Sequence, residues 1–223
     1  LDVTNFVTAN AVVMNNMFSK CSGLREIDLS NFDTSNVATM ASMFAHCYEL
    51  VKIDISNFNT EKVENMSHMF YSCMALETLD VSGFKTANVT TMSDMFENCK
   101  RITLLDVSKF DTGNVTDMSY MFNGCYSLKT LDVSGFNTSN VKDMKVMFAN
   151  CQELTFLDVS GFDTSNVISF SGMFDGCKKL ENIDVSNFDT AKAVDMGRMF
   201  CGCESFDTID ISKFDTSNVQ YFG

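Results

Sequence analysis

The feature that most constrains this chain is a 26-residue period that runs through it without an insertion. A phenylalanine returns at this interval from Phe6 to Phe214, and aspartate, threonine and cysteine keep the same spacing in columns of their own. A unit of this length cannot bury an apolar face by itself, so successive units must stack into a continuous core. The sequence therefore predicts one array over residues 1–223, with about eight and a half turns and no second domain.

The first half of each unit has the pattern of a strand. In the unit that begins at Leu24, apolar Ile27 and Leu29 alternate with polar Asp28 and Ser30. This alternation is typical of a half-buried strand. Copies stacked in register predict a parallel β ribbon along one face of the array.

The second half of each unit has the spacing of a short helix. Its apolar residues recur every three or four positions, as on one face of an amphipathic helix. In the same unit they are Val37, Met40, Met43, Phe44 and Cys47. Thr34 or Ser35 stands just before them and is expected to cap the helix, which accounts for the threonine column better than an ice-binding surface does.

Together the two halves predict an α/β repeat solenoid with one parallel β-strand and one short helix in each 26-residue turn. Strands stack about 4.8 Å apart, whereas side-by-side helices need about 8–10 Å between their axes. We therefore expect the array to curve, with the strands on its concave side.

The units share the consensus L-D-V-S-x-F-D-T-S-N-V-x-x-M-S-x-M-F-x-x-C-x-x-L along the whole chain. This consensus resembles the 26-residue repeat of the BspA-like leucine-rich-repeat family of bacterial surface proteins, which also occurs in mycoplasma surface lipoproteins. The resemblance implies a leucine-rich-repeat-like fold and an extracellular, cell-surface location, with the anchor outside this segment. It also implies a protein partner on a host or neighbouring cell.

Composition and repetition argue against several classes of function. The chain has 16 Lys and Arg against 29 Asp and Glu, a net charge of −13, whereas nucleic-acid binders need clusters of basic residues. No apolar run is long enough for direct membrane insertion. Catalysis needs an asymmetric group of different side chains, but a translational repeat gives every turn the same environment. We therefore expect a non-enzymatic protein with no catalytic residue, no cofactor and no metal site.

Recognition is expected where the repeat varies, at the outward-facing positions where each predicted strand begins. Leu104 and Phe156 are apolar in a column that is otherwise polar, as in a protein-binding patch, although single apolar residues are also common on ordinary surfaces. The pattern favours an adhesion or protein-recognition module. The alternative is a structural spacer or stalk that displays another domain and has no partner of its own. The candidate partner-binding residues are Arg25, Lys52, Glu77, Leu104, Lys129, Phe156, Asn182 and Asp207.

The aspartate column, which we call the Asp ladder, lies mid-strand and points away from the predicted core. Stacked carboxylates repel by roughly 1 kcal/mol per neighbouring pair, so the ladder should be held by hydrogen bonds, with a cation site or a partner contact as alternatives. We expect stability to rise on mild acidification or with divalent cations. The ladder residues are Asp28, Asp54, Asp80, Asp106, Asp132, Asp158, Asp184 and Asp210.

The cysteine column is expected to consist of buried free thiols, which behave as small apolar side chains. Disulfides between neighbours and a metal site are the alternatives. Cys201 lies in a different column and is expected to be the most exposed and reactive thiol. The column consists of Cys21, Cys47, Cys73, Cys99, Cys125, Cys151, Cys177 and Cys203.

Both ends of the chain fall inside the repeat. The first residue is already a strand residue, and residues 222–223 lie within a predicted helix, so neither end has the polar cap that solenoids need. We expect an array excised from a longer surface protein, able to self-associate through its uncapped ends.

Overall fold

The protein is a repeat solenoid whose turns stack on one continuous core. The computed structural model describes all of residues 1–223. Its core is a single cluster of 61 buried residues that extends from Val3 to Met199. No α-helix and no extended strand is present, and the only β pairing consists of isolated parallel bridges. The prediction of a repeat solenoid is confirmed, whereas its α/β detail is not.

The bridges form a parallel ladder with one rung in each turn. Eight of them join residues 26 positions apart into one row, and a ninth joins Leu104 to Thr130 on another part of the turn. The row consists of Val13, Thr39, Asn65, Thr91, Asp117, Asp143, Ser169, Asp195 and Tyr221. This row lies in the half of the repeat where the sequence predicts a helix.

The predicted helix is replaced by a run of tight turns over residues 41–46 and the equivalent residues of the other units. The N–H of Met43 donates to the carbonyl of Met40 (N···O 3.1 Å), three residues back, instead of four residues back as in an α-helix. The N–H of Phe44 donates to Met69 in the next turn (2.9 Å). Backbone donors thus alternate between the chain's own turn and the neighbouring one, so no helix forms.

Two left-handed residues in each unit make these turns possible. Ser42 has a φ of 58° and His46 a φ of 62°, and the equivalent residues of the other units are also positive. A tight turn with positive φ at its third residue favours Gly or Asn there. The column of His46 holds one of these in five of its eight positions, which was the available sequence signal against a helix. They are Asn98, Gly124, Asn150, Gly176 and Gly202.

The predicted strand has the expected alternation of buried and exposed side chains, but it lacks the continuous backbone hydrogen bonding of a β-sheet. Ile27 and Leu29 are 8% and 1% exposed, while Asp28 and Ser30 are exposed. Few backbone hydrogen bonds join these segments, for example from the N–H of Val51 to the carbonyl of Arg25 (3.1 Å). We call the surface formed by residues 25–30 and their equivalents the acidic face. Because no helices lie behind it, the physical basis for the predicted concave curvature is absent.

Phenylalanine rings stack through the core from turn to turn. Phe44 and Phe70 have centroids 5.5 Å apart and planes 6° from parallel, and the stack continues to Phe200 at 5.6–6.0 Å. Aromatic pairs of this kind add about 0.5–1.5 kcal/mol beyond the burial of their surface. The rings therefore hold each turn in register with the next.

The threonine column joins neighbouring turns and caps no helix, so the capping prediction for Thr34 or Ser35 is wrong. The hydroxyl of buried Thr86 donates to the carbonyl of Asp111 (2.9 Å) and accepts from its N–H (2.7 Å). Asp111 lies 25 residues further on, at the same level of the next turn. One hydroxyl thus satisfies both backbone groups of a residue in the neighbouring unit.

Replacing Thr86 with Val should lower the free energy of unfolding by about 1–3 kcal/mol, because both backbone groups of Asp111 lose a buried partner. Exposed Thr78 is the matched control, and its change to Val should alter stability by less than about 0.5 kcal/mol. Urea denaturation followed by circular dichroism measures both. Equal midpoints for the two variants would contradict the inter-turn role of Thr86.

Candidate functional site

The eight candidate partner-binding residues are all exposed on the acidic face. Two of them are engaged with neighbouring turns: Lys52 pairs with Glu26 (3.6 Å) and Glu77 with Arg101 (3.4 Å). All four side chains of these pairs are more than half exposed. Ion pairs in such positions contribute little to stability and remain available to a partner.

The structure brings Leu104 and Phe156 to the two sides of one cavity of about 540 Å³. Thr130 lies between them, and its backbone pairs with that of Leu104 in the isolated bridge. The two apolar side chains are 66% and 65% exposed. Buried Leu105 and Leu131 also line the cavity. We call this cavity, with its walls at Leu104 and Phe156, the apolar notch.

Carboxylates of the Asp ladder form the polar part of the notch. Asp106, Asp132 and Asp158 line the cavity, and no Lys or Arg does. None of the three forms an ion pair. The notch therefore combines an apolar surface with carboxylates that form no ion pair, although the charge of Lys109 lies near enough to Asp106 to help lower the pKa of its carboxyl.

Each ladder carboxylate is held by the serine two residues further along its own turn, not by the neighbouring turns. Asp106 Oδ1 accepts hydrogen bonds from the hydroxyl of Ser108 (2.6 Å) and from its N–H (3.0 Å). These bonds lower the pKa of the Asp106 carboxyl, and the same kind of bond lowers the pKa of six other ladder members. Charges on neighbouring ladder residues act in the opposite direction but more weakly, for example at Asp80.

The direction of these shifts reverses the expected effect of acid on the ladder. A carboxyl whose pKa is lower in the folded state contributes stability above its unfolded pKa, about 3.9. That contribution is lost as the pH falls through the folded value. The ladder therefore gives no gain in stability on mild acidification. The structure also brings together no three His, Cys, Asp or Glu side chains in a metal-binding arrangement.

Sequence analysis missed a cluster of side chains on the six-residue turns. Tyr71 lies between two histidines of different columns, with ring centroids 4.9 Å from His46 and 5.6 Å from His68. His68 Nε2 is 3.4 Å from a carboxylate oxygen of Asp94, and Asp94 accepts a hydrogen bond from the protonated carboxyl of Glu97. His46 meets Tyr71 because the backbone pairing offsets neighbouring turns by 25 residues, which the sequence did not reveal, whereas His68 lies three residues before Tyr71 in the same tight turn.

Within this cluster, Glu97 has an unusual environment for a carboxyl group. It is half-buried, and the amide groups of Asn98 and Asn123 both donate to its Oε1, at 3.2 and 3.0 Å. Burial, with the hydrogen bond and the negative charge of Asp94, raises the pKa of Glu97 to about 8. The folded protein therefore holds a proton here at neutral pH that the unfolded chain releases.

Glu97→Gln should raise stability at pH 8 and flatten its pH dependence. A carboxyl with a raised folded pKa stabilises the fold as the pH decreases toward its unfolded value. Between pH 8 and pH 6.5 the wild-type chain should therefore gain about 1 kcal/mol or less that the variant does not, because partial exposure of Glu97 screens the effect. The measurement is the thermal midpoint at several pH values. Exposed Glu64 provides the control through Glu64→Gln, and identical pH profiles for all three proteins would contradict the assignment.

The cysteine column is buried in the middle of the array and half-exposed at its ends. All nine cysteines are free thiols: six of the column are buried, Cys21 and Cys203 are half-buried, and Cys201 is exposed. The thiol of Cys125 donates to the carbonyl of Phe96 (3.3 Å), and burial raises its pKa to about 12. The other buried cysteines form the same bond, each to the carbonyl of the phenylalanine 29 residues earlier in the chain. These thiols therefore help to join neighbouring turns.

Cys201 should be labelled first by a maleimide at pH 7.5, because a thiol must be reached and deprotonated to react. The six buried thiols should react only after unfolding. Mass spectrometry of the native and urea-denatured chain, with Cys201→Ser as the control, measures the order. Rapid native labelling of Cys99 or Cys125 would contradict the buried environment.

The stacked 26-residue turns and the varied outer face define a repeat-solenoid protein. The family described as "Mycoplasma protein of unknown function, DUF285" matches residues 1–103, 74–157 and 147–223. These segments together span the whole chain, and the chain belongs to this family.

Among solved structures, the chain is similar to a leucine-rich repeat protein from Bacteroides ovatus. The similarity covers 98% of this chain and 94% of that chain, at 14% sequence identity and a TM-score of 0.31. A comparison with curated proteins returned no match. The structure has no helix with the length and apolar character needed to cross a bilayer.

Proposed function

We propose that this protein is a non-enzymatic recognition and adhesion module on a cell surface, and that its apolar notch contacts a protein of a host or neighbouring cell. One observation carries the proposal. Leu104 and Phe156 are two-thirds exposed and flank a single cavity, whereas the other residues of their column are polar or charged. Large apolar side chains around a pocket are the usual centre of a protein interface.

The remaining candidate residues would form the rim of such an interface. Burying the two apolar side chains supplies about 1.5–3 kcal/mol each, which is less than the cost of association in most accounts, about 4–15 kcal/mol. A stable complex therefore needs further contacts around the notch. Lys52 and Asn182 lie in the same exposed column as Leu104 and Phe156, and Arg25, Glu77, Lys129 and Asp207 lie in the exposed column next to it.

Repetition supports binding over catalysis. Each ladder carboxylate has the same serine partner, and each threonine of its column has the same kind of backbone partner in the next turn. A reaction needs an acid, a base or a nucleophile in distinct environments. The resemblance to BspA-like surface repeats, including those of mycoplasma lipoproteins, supports a cell-surface location with the anchor in another segment.

Leu104→Asp combined with Phe156→Asp should reduce binding of the labelled protein to cultured host cells at least tenfold, because the centre of the interface loses its apolar surface. Treating the cells with protease beforehand should abolish wild-type binding as well. The matched control is Thr208→Asp, which adds a charge of the same kind in the same column two turns beyond Phe156 and should retain both binding and thermal midpoint.

A structural spacer is the second candidate function, favoured by the unbroken core that joins all the turns. A spacer has no partner of its own. Cell binding that is at background level for the wild-type chain, or that is unchanged in the Leu104 and Phe156 variant, would support the spacer and contradict the recognition proposal.

A further inference from the structure

The charge around the apolar notch indicates what kind of partner segment fits it. Asp106, Asp132 and Asp158 belong to three successive turns and line one cavity with Leu104 and Phe156. Asp106 is held in place by its serine, and Asp132 and Asp158 accept the equivalent hydrogen bonds from Ser134 and Ser160. The carboxylates therefore have fixed positions before any partner arrives.

The geometry of the walls leaves room for an inserted side chain. Leu104 and Phe156 lie two turns apart, with Thr130 in the turn between them. Turns stacked as a parallel ladder are about 4.8 Å apart, so the walls are separated by about 10 Å. A cavity of about 540 Å³ falls within the range of about 300–1,000 Å³ typical of ligand pockets. Thr130 is too small to fill the space between the two walls.

Negative charge around the notch disfavours acidic partners and favours basic ones. None of the three carboxylates forms an ion pair; Lys109 acts on Asp106 only from a longer distance, and the chain as a whole carries a charge of −13. An incoming acidic group would be repelled by the three carboxylates and by the net charge of the chain. Lys or Arg would instead be attracted toward the notch and would pair with the carboxylates.

We propose that the apolar notch binds a polypeptide segment in which an apolar side chain, inserted over Thr130 between Leu104 and Phe156, is flanked by Lys or Arg that pair with Asp106, Asp132 and Asp158. This inference rests on the proposed recognition function and specifies the chemistry of its partner. Its two parts, apolar insertion and flanking positive charge, are separable by experiment.

Three labelled synthetic peptides test the chemistry, with binding to the whole chain followed by fluorescence anisotropy. The first has leucine flanked by lysines, the second leucine flanked by glutamates, and the third serine flanked by lysines. The first should bind at least tenfold more tightly than either of the others, and its affinity should decrease as the salt concentration rises. Equal binding of the leucine and serine peptides would overturn the proposal, because it would reflect charge alone.

Charge variants locate the site. Asp132→Asn and Asp158→Asn should each weaken the lysine–leucine peptide about two- to fivefold, the range for an exposed ion pair. Asn is a suitable replacement because Asn65 accepts the same N–H bond from Ser67 in this chain. The control is Asp28→Asn, which removes one ladder charge far from the notch and should leave binding unchanged. An equal loss in the control would overturn the proposal, since it would indicate unspecific attraction to an acidic surface.

The outcomes separate this inference from the proposed function. If the Leu104 and Phe156 variant loses cell binding but no basic peptide binds the wild-type chain, recognition stands and the partner chemistry is wrong. If the basic peptide binds at the notch while cell binding does not depend on Leu104 and Phe156, the notch chemistry stands and its role in adhesion is wrong.

Discussion

The hydrogen bonds between turns are the interaction on which the rest of the structure depends. In each unit four alternate N–H groups donate to the carbonyls 25 residues further on, as those of Met92, Asp94, Phe96 and Asn98 do. This pairing requires every turn to have the same length, because one inserted residue would move each following donor away from its acceptor. It also excludes proline from these donor positions, because proline has no N–H to donate, and the chain contains none.

The sequence predicted which side chains face inward but not the backbone that carries them. Met40, Met43 and Phe44 have helical spacing and are fully buried, yet two successive tight turns repeat the same three- and four-residue intervals. Periodicity alone could not separate these possibilities, because the deciding hydrogen bonds go to residues 25 positions away. The Gly and Asn enrichment in the column of His46 was a local signal for left-handed residues, and it favours turns.

For the candidate site, the exposure of the residues could be predicted from the sequence, but which of them lie next to each other could be predicted only in part. Leu104 and Phe156 differ from their column in the sequence alone, and a spacing of two repeats already places them near each other. The contact of Tyr71 with His46 was not predictable, because it depends on the 25-residue offset between paired turns. The effect of acid on the stability contributed by the Asp ladder could not be predicted either. Its sign depends on the serine hydrogen bonds, which lower the carboxyl pKa more than repulsion between carboxylates raises it.

Repetition determines where specificity can arise in such a molecule. A feature that every turn needs, such as the Asp–Ser bond, recurs in every turn and therefore distinguishes no position from another. An exposed substitution that occurs once or twice is not required for stacking and is free to serve recognition, whereas a buried one such as Phe170 still packs in the core. At the apolar notch both kinds of feature meet, because two singular apolar residues lie among three ladder carboxylates. In the proposed function, the ladder contributes to partner specificity at this notch, where its regular charge surrounds an irregular apolar surface.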